Sequence, residues 1–225
     1  MAGTKNNKNK NKAYQLIRDG IINGTIRPGE SITEKWFCDF AGMSRTPIRE
    51  ALIQLHADNL IKLIDNKGVI INEITPLDIK EIFQLRMLIE PFITGISIDA
   101  IDRDKVGKYV RQIDILLKYE DPIAGMKECC IVSEDVNAIH PIIYSASANG
   151  RLINILRNLQ SQIVWVIKRA ERIPGRVLKT IKEHREIADA ILKGDGELAS
   201  RMMKDHLEST MNDMLNHNNY GKIFN

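Results

Sequence analysis

Three successive segments near the start of the chain repeat apolar residues at helical spacing. We predict helices over 13–24, from Thr33 as an N-cap and from Ser44, with Asn23-Gly24 ending the first of them. Their inward-facing stripes are Ala13, Leu16, Ile17 and Ile21, then Trp36, Phe37, Phe40 and Ala41, and then Ile48, Ala51, Leu52 and Leu55. Pro47 falls in the first turn of the third helix, where a missing N–H is not needed.

The spacing of apolar residues changes after Leu60. Ile61 and Leu63 precede the segment Asp65-Asn-Lys-Gly68, and three branched residues, 69–71, follow it. This pattern predicts two strands around a tight turn. Three helices followed by a hairpin are typical of a winged helix-turn-helix, so we assign residues 13–74 to such a domain.

Beyond Thr75 the apolar patterns are helical. We predict helices over 76–99, 103–119, 122–147, 150–171, 175–193 and 196–216. Pro141 lies inside the third of these, and Asp, Asn, Gly and Pro residues separate them. The predicted fold class is therefore mainly α: a winged helix-turn-helix followed by an all-helical bundle over 75–218, with flexible tails at 1–12 and 219–225.

Composition excludes several classes of protein. With 225 residues, 44% of them hydrophobic, the chain can form one large or two small cores and is not mainly disordered. It has no apolar run of about 18 residues, and residues 1–12 lack the apolar stretch of a signal peptide. Cys38, Cys129 and Cys130 form neither a disulfide framework nor a C-x-x-C pair. We therefore expect a cytoplasmic protein without a membrane partner.

The net charge of +3 lies at the N-terminal end. Residues 1–74 hold 11 Lys and Arg against 8 Asp and Glu, and four of the lysines lie within residues 1–12. The folded part of the first domain is therefore close to neutral. Binding of nucleic acid would then depend on a few well-placed arginines, with the basic tail adding a sequence-independent attraction.

Arg45 and Arg49 lie four residues apart on the third helix, on the face opposite its apolar stripe. Charges at this spacing often form only a solvated surface. In a winged helix-turn-helix, however, the third helix reads the major groove with its first turns, and arginine is well shaped to hold guanine O6 and N7. Further contacts to the DNA backbone are expected from Ser44, Thr46, Lys67 and Gly68.

The segments Arg27-Pro-Gly-Glu-Ser-Ile32, Met43-Ser-Arg-Thr-Pro-Ile-Arg-Glu-Ala-Leu52 and Asn66-Lys-Gly68 resemble the GntR family of bacterial transcriptional regulators. The resemblance covers residues 14–73, and SRTPIREAL matches the family's recognition-helix signature. It implies base contacts by Arg45 and Arg49, phosphate contacts by Ser44 and Thr46, and backbone contacts by Gly68 at the wing tip. Relatives often carry Arg or His where this chain has Lys67. The family also implies a homodimer on an inverted-repeat operator of double-stranded DNA.

Three of the five histidines, His140, His184 and His206, fall on apolar stripes of separate predicted helices. One such histidine is usually a hydrogen-bonded core residue. Three of them on separate helices of a bundle can instead converge on a transition metal, for which imidazole is a common ligand. Arg86 likewise interrupts an apolar stripe and needs an anion. That anion is either Glu90, four residues on, or the carboxylate of a bound effector.

Residues 76–216 resemble the FCD effector domain of the FadR subfamily of GntR regulators, an all-helical, dimeric, effector-binding bundle. The matching pieces are Leu85-Arg-Met-Leu-Ile-Glu90, Ile139-His140, Ser147-Ala-Asn149, Glu183-His184, Ala190-Ile-Leu-Lys-Gly-Asp195, Ala199 and His206. The intervals between the three histidines agree with the family's metal-binding pattern. The resemblance therefore places His140, His184 and His206 at a metal site.

One position departs from the family pattern. Relatives with the full metal site carry an Asp one turn before the first histidine, and this chain has Val136 there. Asn137 shares a helical face with His140, whereas Asp135 would need the distortion that Pro141 can provide. A site with three histidines and no carboxylate favours Zn²⁺ or Ni²⁺ over Mn²⁺ or Mg²⁺. The alternative is a metal-free pocket in which the histidines and Arg86 hold the effector directly.

The resulting hypothesis is a homodimeric transcription regulator, not an enzyme, that responds to a small organic acid. We expect the connection over 60–80 to transmit the response. A metal-dependent hydrolase is the remote alternative, because the sequence has no His-Glu-x-x-His motif or suitably spaced carboxylate pair. A dimer that only shapes DNA, without an effector, is the third possibility.

Overall fold

A computed structural model of the chain describes residues 2–64 and 68–217. Contacts divide it into two compact units. The first contains the residues up to Thr75 together with Asn158–Arg169, and the second contains Pro76–Arg157 together with the residues from Ala170 onward.

The first unit has the predicted order of three helices and a hairpin. Its elements are α1 (Ala2–Asn23), β1 (Ser31–Ile32), α2 (Glu34–Ala41), α3 (Arg45–Ala57), β2 (Ile61–Ile64) and β3 (Gly68–Ile71). The strands form an antiparallel sheet in the order β1-β3-β2, with Ile61 opposite Ile71 and Ile32 opposite Val69. This arrangement confirms the winged helix-turn-helix and adds a short third strand, β1, that the apolar pattern did not predict.

Local sequence explains where α2 and α3 begin and end. Thr33 is extended and accepts a hydrogen bond from the Trp36 backbone N–H at 3.3 Å, which caps α2. Gly42 ends the same helix in the left-handed region. Ser44 is extended immediately before α3, and Pro47 lies in the first turn of that helix. These signals fix a short turn between the two helices.

Three expectations for this unit were wrong in detail. Helix α1 starts at Ala2 and not at residue 13, so the tract over 2–12, which we predicted as a tail, continues the helix. Lysine is a good helix former, and extending an existing helix costs far less than nucleating one. Leu16 and Trp36 were expected to face inward but are 39% and 41% exposed. Trp36 instead stacks on Phe40 with ring centroids 4.9 Å apart, which covers one face of its indole.

The second unit contains only helices among the residues described. They are α4 (Pro76–Ile96), α5 (Arg103–Leu116), α6 (Pro122–Glu128), α7 (Ser133–Val136), α8 (Ile139–Ala146), the ends of α9 (Gly150–Ala170), α10 (Arg176–Lys193) and α11 (Gly196–Asn216). The fold class is therefore mainly α, as predicted. Helix α11 packs against α4 and α10, and α10 also packs against α5, so α10 and α11 lie at the centre of the bundle. Across the described ranges, no helix is long and apolar enough to cross a membrane.

The single helix predicted over 122–147 is wrong. Three helices, α6, α7 and α8, occupy this segment. Cys130 has a φ of +55°, a left-handed conformation that ends the first of them, and the Asp135 side chain accepts from the Val132 N–H at the start of α7. Pro141 then lies in the first turn of α8, where it interrupts no helical hydrogen bond.

Part of α9 belongs to the first unit, although we predicted all of 150–171 in the bundle. The Tyr14 hydroxyl on α1 lies 2.8 Å from Ser161 Oγ on α9 and also donates to Asp58 at the end of α3. Burial, together with the bond to Asp58, raises the pKa of Tyr14 to about 12. The hydroxyl therefore remains a donor at neutral pH and joins three helices of the unit.

Gly68 illustrates a structural requirement that the sequence did not reveal. Its φ is +102°, and a Cβ atom there would lie 2.3 Å from the backbone oxygen of Ile32 in β1. Backbone cannot move aside cheaply. A glycine is therefore needed for β1 to pair with β3, whatever contact with DNA the same residue makes.

We expect Gly68→Ala to lower the free energy of unfolding of the first unit by roughly 2–4 kcal/mol, from a strained φ plus the clash with Ile32. Gly42→Ala is the matched control, because Gly42 also has a positive φ but no atom lies within 4 Å of its added Cβ. The control should cost only about 1 kcal/mol. Trp36 and Trp165 both belong to this unit, so urea unfolding followed by tryptophan fluorescence reports on it. Equal costs for the two variants would contradict the clash.

Candidate functional site

The second unit brings His140, His184 and His206 together. They come from α8, α10 and α11, and all three side chains are buried. The Nε2 atom of His184 lies 3.3 Å from Nε2 of His140 and 3.2 Å from Nε2 of His206. In the described part of the chain, this cluster is the group whose ligand atoms are close enough to share one metal ion.

The opposite nitrogen of each ring is held by an acceptor. Nδ1 of His140 lies 2.7 Å from a Glu90 carboxylate oxygen, and Nδ1 of His206 lies 2.8 Å from a Glu183 carboxylate oxygen. Nδ1 of His184 lies 2.8 Å from the backbone oxygen of Val136. Carboxylate and carbonyl oxygens only accept, so each Nδ1 carries the proton. In a neutral ring, Nε2 is then unprotonated and offers a lone pair.

The rings of His184 and His206 are neutral at physiological pH. Burial, followed by the neighbouring His140, lowers the pKa of His184 well below its usual value. Burial, followed by His184 and His140, does the same for His206. Two lone pairs therefore face each other at 3.2 Å with no hydrogen between them. This arrangement is unfavourable alone, and a cation bound between the rings would stabilise it.

The nitrogen separations agree with a zinc-like ion. Two nitrogens that bind one tetrahedral Zn²⁺ at about 2.0–2.1 Å lie roughly 3.3 Å apart. The observed separations of 3.2 and 3.3 Å match that value. The three residues therefore fit a divalent transition metal both in donor type and in spacing.

The two residues considered as substitutes for a carboxylate ligand are used elsewhere. The Asp135 carboxylate accepts from the Val132 N–H at 2.9 Å, and the Asn137 amide donates to the Ser133 carbonyl at 2.9 Å. Both bonds stabilise α7, and Asp135 is not part of the histidine cluster in the described residues. Val136 itself contributes through its backbone, because its carbonyl orients His184.

Arg86 is paired within its own helix. Its side chain is 2% exposed, and its Nε lies 2.5 Å from Glu90 Oε1. The guanidinium also lies over the Phe83 ring, 5.2 Å from its centroid. Burial alone would raise the pKa of Glu90, but Arg86 and His140 beside it lower that pKa to about 2. The intrahelical alternative to an effector contact is therefore the geometry observed.

Sequence reasoning missed Glu183 and Arg176 as parts of this site. Glu183 accepts from His206, and Arg176 contacts Glu183 and lies 2.7 Å from Asp213 through Nη1. Glu183 precedes His184 directly, but a charged residue beside a histidine is common on helices. Only the packing of α10 on α11 brings this carboxylate to His206.

The first unit exposes the residues expected to contact DNA. The side chains of Ser44, Arg45 and Thr46 are exposed at the start of α3. Arg49 is exposed as well, but its Nε pairs with the Glu34 carboxylate at 2.8 Å. Because both bonds to Glu34 leave from Nε, the outer edge of this guanidinium remains accessible, and the side chain is 63% exposed. The expected wing contact Lys67 lies outside the described residues, and Gly68 lies directly after the gap.

Comparison with known proteins identifies the same two parts of the chain. The model of bacterial regulatory proteins, gntR family, matches residues 9–71, and the model of the FCD domain matches residues 81–209. The HTH-type transcriptional regulator YdhC of Bacillus subtilis (strain 168) is 28% identical over 193 residues, which cover 86% of this chain and 85% of YdhC. The gluconate operon transcriptional repressor of the same organism is 32% identical over 113 residues, 48% of this chain and 45% of the repressor.

A solved structure shares the architecture. A GntR transcriptional regulator from Rhodococcus sp. RHA1 superimposes with a TM-score of 0.69 and 24% sequence identity, covering 90% of this chain and 95% of that one. At this identity the likeness concerns the fold, a winged helix-turn-helix combined with a helical bundle.

Proposed function

The chain belongs to the gntR family of bacterial regulatory proteins and carries that family's FCD domain, so we propose that this transcriptional regulator senses a small carboxylate through a three-histidine metal centre. In this proposal it binds an inverted-repeat operator as a homodimer, and the carboxylate changes its affinity for DNA. The observation that carries the proposal is the convergence of three buried histidines, with His184 Nε2 3.3 Å from His140 Nε2 and 3.2 Å from His206 Nε2.

His140, His184 and His206 would hold the metal, with Zn²⁺ or Ni²⁺ preferred because the ligands are neutral imidazoles. When bound, such an ion supplies a Lewis acid with positions left for oxygen ligands. The chain's own groups orient the rings: Glu90, the Val136 carbonyl and Glu183 each fix one Nδ1–H. No carboxylate of the described residues belongs to the cluster, so an anionic effector is the natural further ligand.

The metal-free alternative assigns the effector's carboxylate to Arg86 and the histidines. The structure supports this less well, since the Arg86 guanidinium is buried and already paired with Glu90 at 2.5 Å. An incoming carboxylate would have to displace a buried ion pair, which is costly. Relatives of the chain are transcriptional regulators, so hydrolysis at the metal is not proposed.

On the DNA side, we propose that Arg45 and Arg49 read bases in the major groove. Ser44 and Thr46 then contact phosphates, and Lys67 and Gly68 approach the DNA backbone at the wing. The exposed start of α3 supports this assignment, because backbone N–H groups and hydroxyls at a helix N-terminus bind phosphate well. Two copies of α3 on a palindrome double the number of base contacts, which is the usual basis of specific affinity.

Calorimetry tests the effector part of the proposal. The ligand panel contains gluconate, the sugar acid in the name of one relative, together with citrate, lactate and acetate, and neutral glucose as a control. We expect at least one carboxylate to release binding heat with zinc-loaded protein and not after treatment with a chelator. Equal heat with and without metal would support the metal-free alternative. Heat from no carboxylate in either form would remove the proposed class of effector.

A further inference from the structure

We propose that Arg86 and Arg176 are positioning residues of the metal centre. Each arginine holds in place the carboxylate that accepts the Nδ1–H hydrogen bond of one histidine ligand. The structure thus contains two Arg–Glu–His relays, one through Glu90 to His140 and the other through Glu183 to His206. This inference rests on the proposed function, because it assumes that the three histidines hold a metal.

The first relay runs from α4 to α8. Arg86 Nε contacts one oxygen of Glu90 at 2.5 Å, and the other oxygen of the same carboxylate accepts from His140 Nδ1 at 2.7 Å. All three side chains are buried. Nη2 of Arg86 also contacts that second oxygen at 3.4 Å, so the guanidinium holds both oxygens of Glu90 and fixes the angle at which the carboxylate meets the imidazole.

The second relay connects the same three residue types on α10 and α11. Arg176 pairs through Nη2 with Glu183 Oε2, and the same oxygen accepts from His206 Nδ1 at 2.8 Å. The Arg176 side chain is 1% exposed and is itself held by Thr180 at 3.1 Å and Asp213 at 2.7 Å. Ser209 adds a further bond by donating to Glu183 at 2.6 Å. This carboxylate is thus fixed on one side by a guanidinium and on the other by a hydroxyl.

The two arginines supply the positive charge that the buried carboxylates need. A buried carboxylate is costly without a paired charge, and a mobile one orients a histidine poorly. Each guanidinium pairs with a carboxylate that still accepts the hydrogen bond from its histidine. The relays consequently add no net negative charge to the cluster, so the charge of a bound divalent ion remains available for an anion.

The third histidine shows that the relays are not a general property of the cluster. His184 Nδ1 donates to the Val136 backbone carbonyl, which the fold of α7 already positions. A carbonyl is neutral and needs no counter-charge. Only the two histidines oriented by carboxylates are backed by a buried arginine, which is the pattern expected if the arginines serve those carboxylates.

Zinc affinity tests the inference. Arg176→Met removes the clamp on Glu183, and Lys179→Met is the matched control, because Lys179 contacts the same Asp213 at 2.8 Å but is half exposed and is not part of the relay. We expect competition with a chromophoric chelator to show zinc binding weakened about 10–100-fold in Arg176→Met and changed less than about twofold in the control. The absorption spectrum of the Co²⁺-substituted protein should also shift in Arg176→Met, since the orientation of His206 changes.

Ser209→Ala gives a second, milder variant in case Arg176→Met does not fold. It removes one hydrogen bond to Glu183 and leaves the ion pair intact, so we expect zinc binding to weaken several-fold with the fold retained. If Arg176→Met and Ser209→Ala both fold and bind zinc with wild-type affinity, the relay proposal is wrong, and the proposed metal centre is unaffected. Failure of the wild-type chain itself to bind zinc would instead overturn the metal centre.

Discussion

Alanine in place of Arg45 is expected to weaken specific DNA binding by about 30-fold or more. A bidentate contact from arginine to guanine contributes about 1–3 kcal/mol of discrimination, and a homodimer loses one such contact in each half-site. Arg45 is the first residue of α3 and is exposed, so its loss removes no packing. The effect should therefore fall on binding and not on folding.

Arg49 is expected to behave differently from Arg45. Its Nε is held by Glu34 at 2.8 Å, which orients the guanidinium and also brings a negative charge toward the DNA. Arg49→Ala should weaken specific binding by a similar factor, because it would remove the proposed base contact. Glu34→Gln should change specificity less than overall affinity, since it removes a charge while the arginine stays in place.

The measurement uses a duplex selected by the wild-type protein from a pool of random sequences, and compares it with a mixed-sequence duplex by fluorescence anisotropy. Arg157→Ala is the matched control, because it removes the same charge from an exposed position on α9 in the second unit. We expect Arg45→Ala to lose the preference for the selected duplex and Arg157→Ala to keep it. A preference retained by the Arg45→Ala, Arg49→Ala double variant would contradict base reading by α3.

Periodicity and turn chemistry were sufficient to predict the mainly helical fold. The helix over 196–216 matches α11, because Asp195 caps it and Gly194 ends the preceding helix. The same reasoning failed over 122–147, where Val132, Val136 and Ile143 continue an apolar spacing across a break. That break lies between α7 and α8, and the earlier break, between α6 and α7, lies at Cys130, where a cysteine in the sequence gives no sign of a left-handed backbone.

The candidate metal site was likewise predictable only in part. The three histidines could be chosen in advance because imidazoles on apolar faces of separate helices are unusual, and the structure brings them together. The groups that orient the histidines from neighbouring helices could not be predicted from the sequence. Glu183 meets His206 across 23 positions of sequence only because α10 packs on α11, and Asp58 meets Ser161 across 103 positions. Such contacts depend on tertiary packing, and no local pattern predicts them.

Alanine in place of His184 is expected to abolish tight zinc binding. His184 is the central residue of the cluster, since its Nε2 is within 3.3 Å of both other Nε2 atoms. Removing a direct ligand should cost more than the 10–100-fold loss that is typical of an orienting residue, so we expect a loss of more than about 100-fold. The substitution also removes one of two hydrogen bonds to the Val136 carbonyl, which still accepts from the Tyr109 hydroxyl at 2.8 Å, so we expect this loss to cost about 0.5–1.5 kcal/mol of stability in the metal-free protein.

Ligand-linked unfolding separates these two effects. A metal that binds only the folded state adds about 4 kcal/mol at a thousandfold excess over its dissociation constant, so zinc should raise the melting temperature of the wild-type protein and a chelator should reverse the rise. His56→Ala is the control, because His56 is exposed on α3 and contacts the Ile61 carbonyl instead of the cluster. We expect His56→Ala to keep the zinc-dependent rise and His184→Ala to lose it while still unfolding cooperatively. If zinc raises the melting temperature of His184→Ala as much as that of the wild-type protein, the ion binds elsewhere and the three histidines are a hydrogen-bonded core.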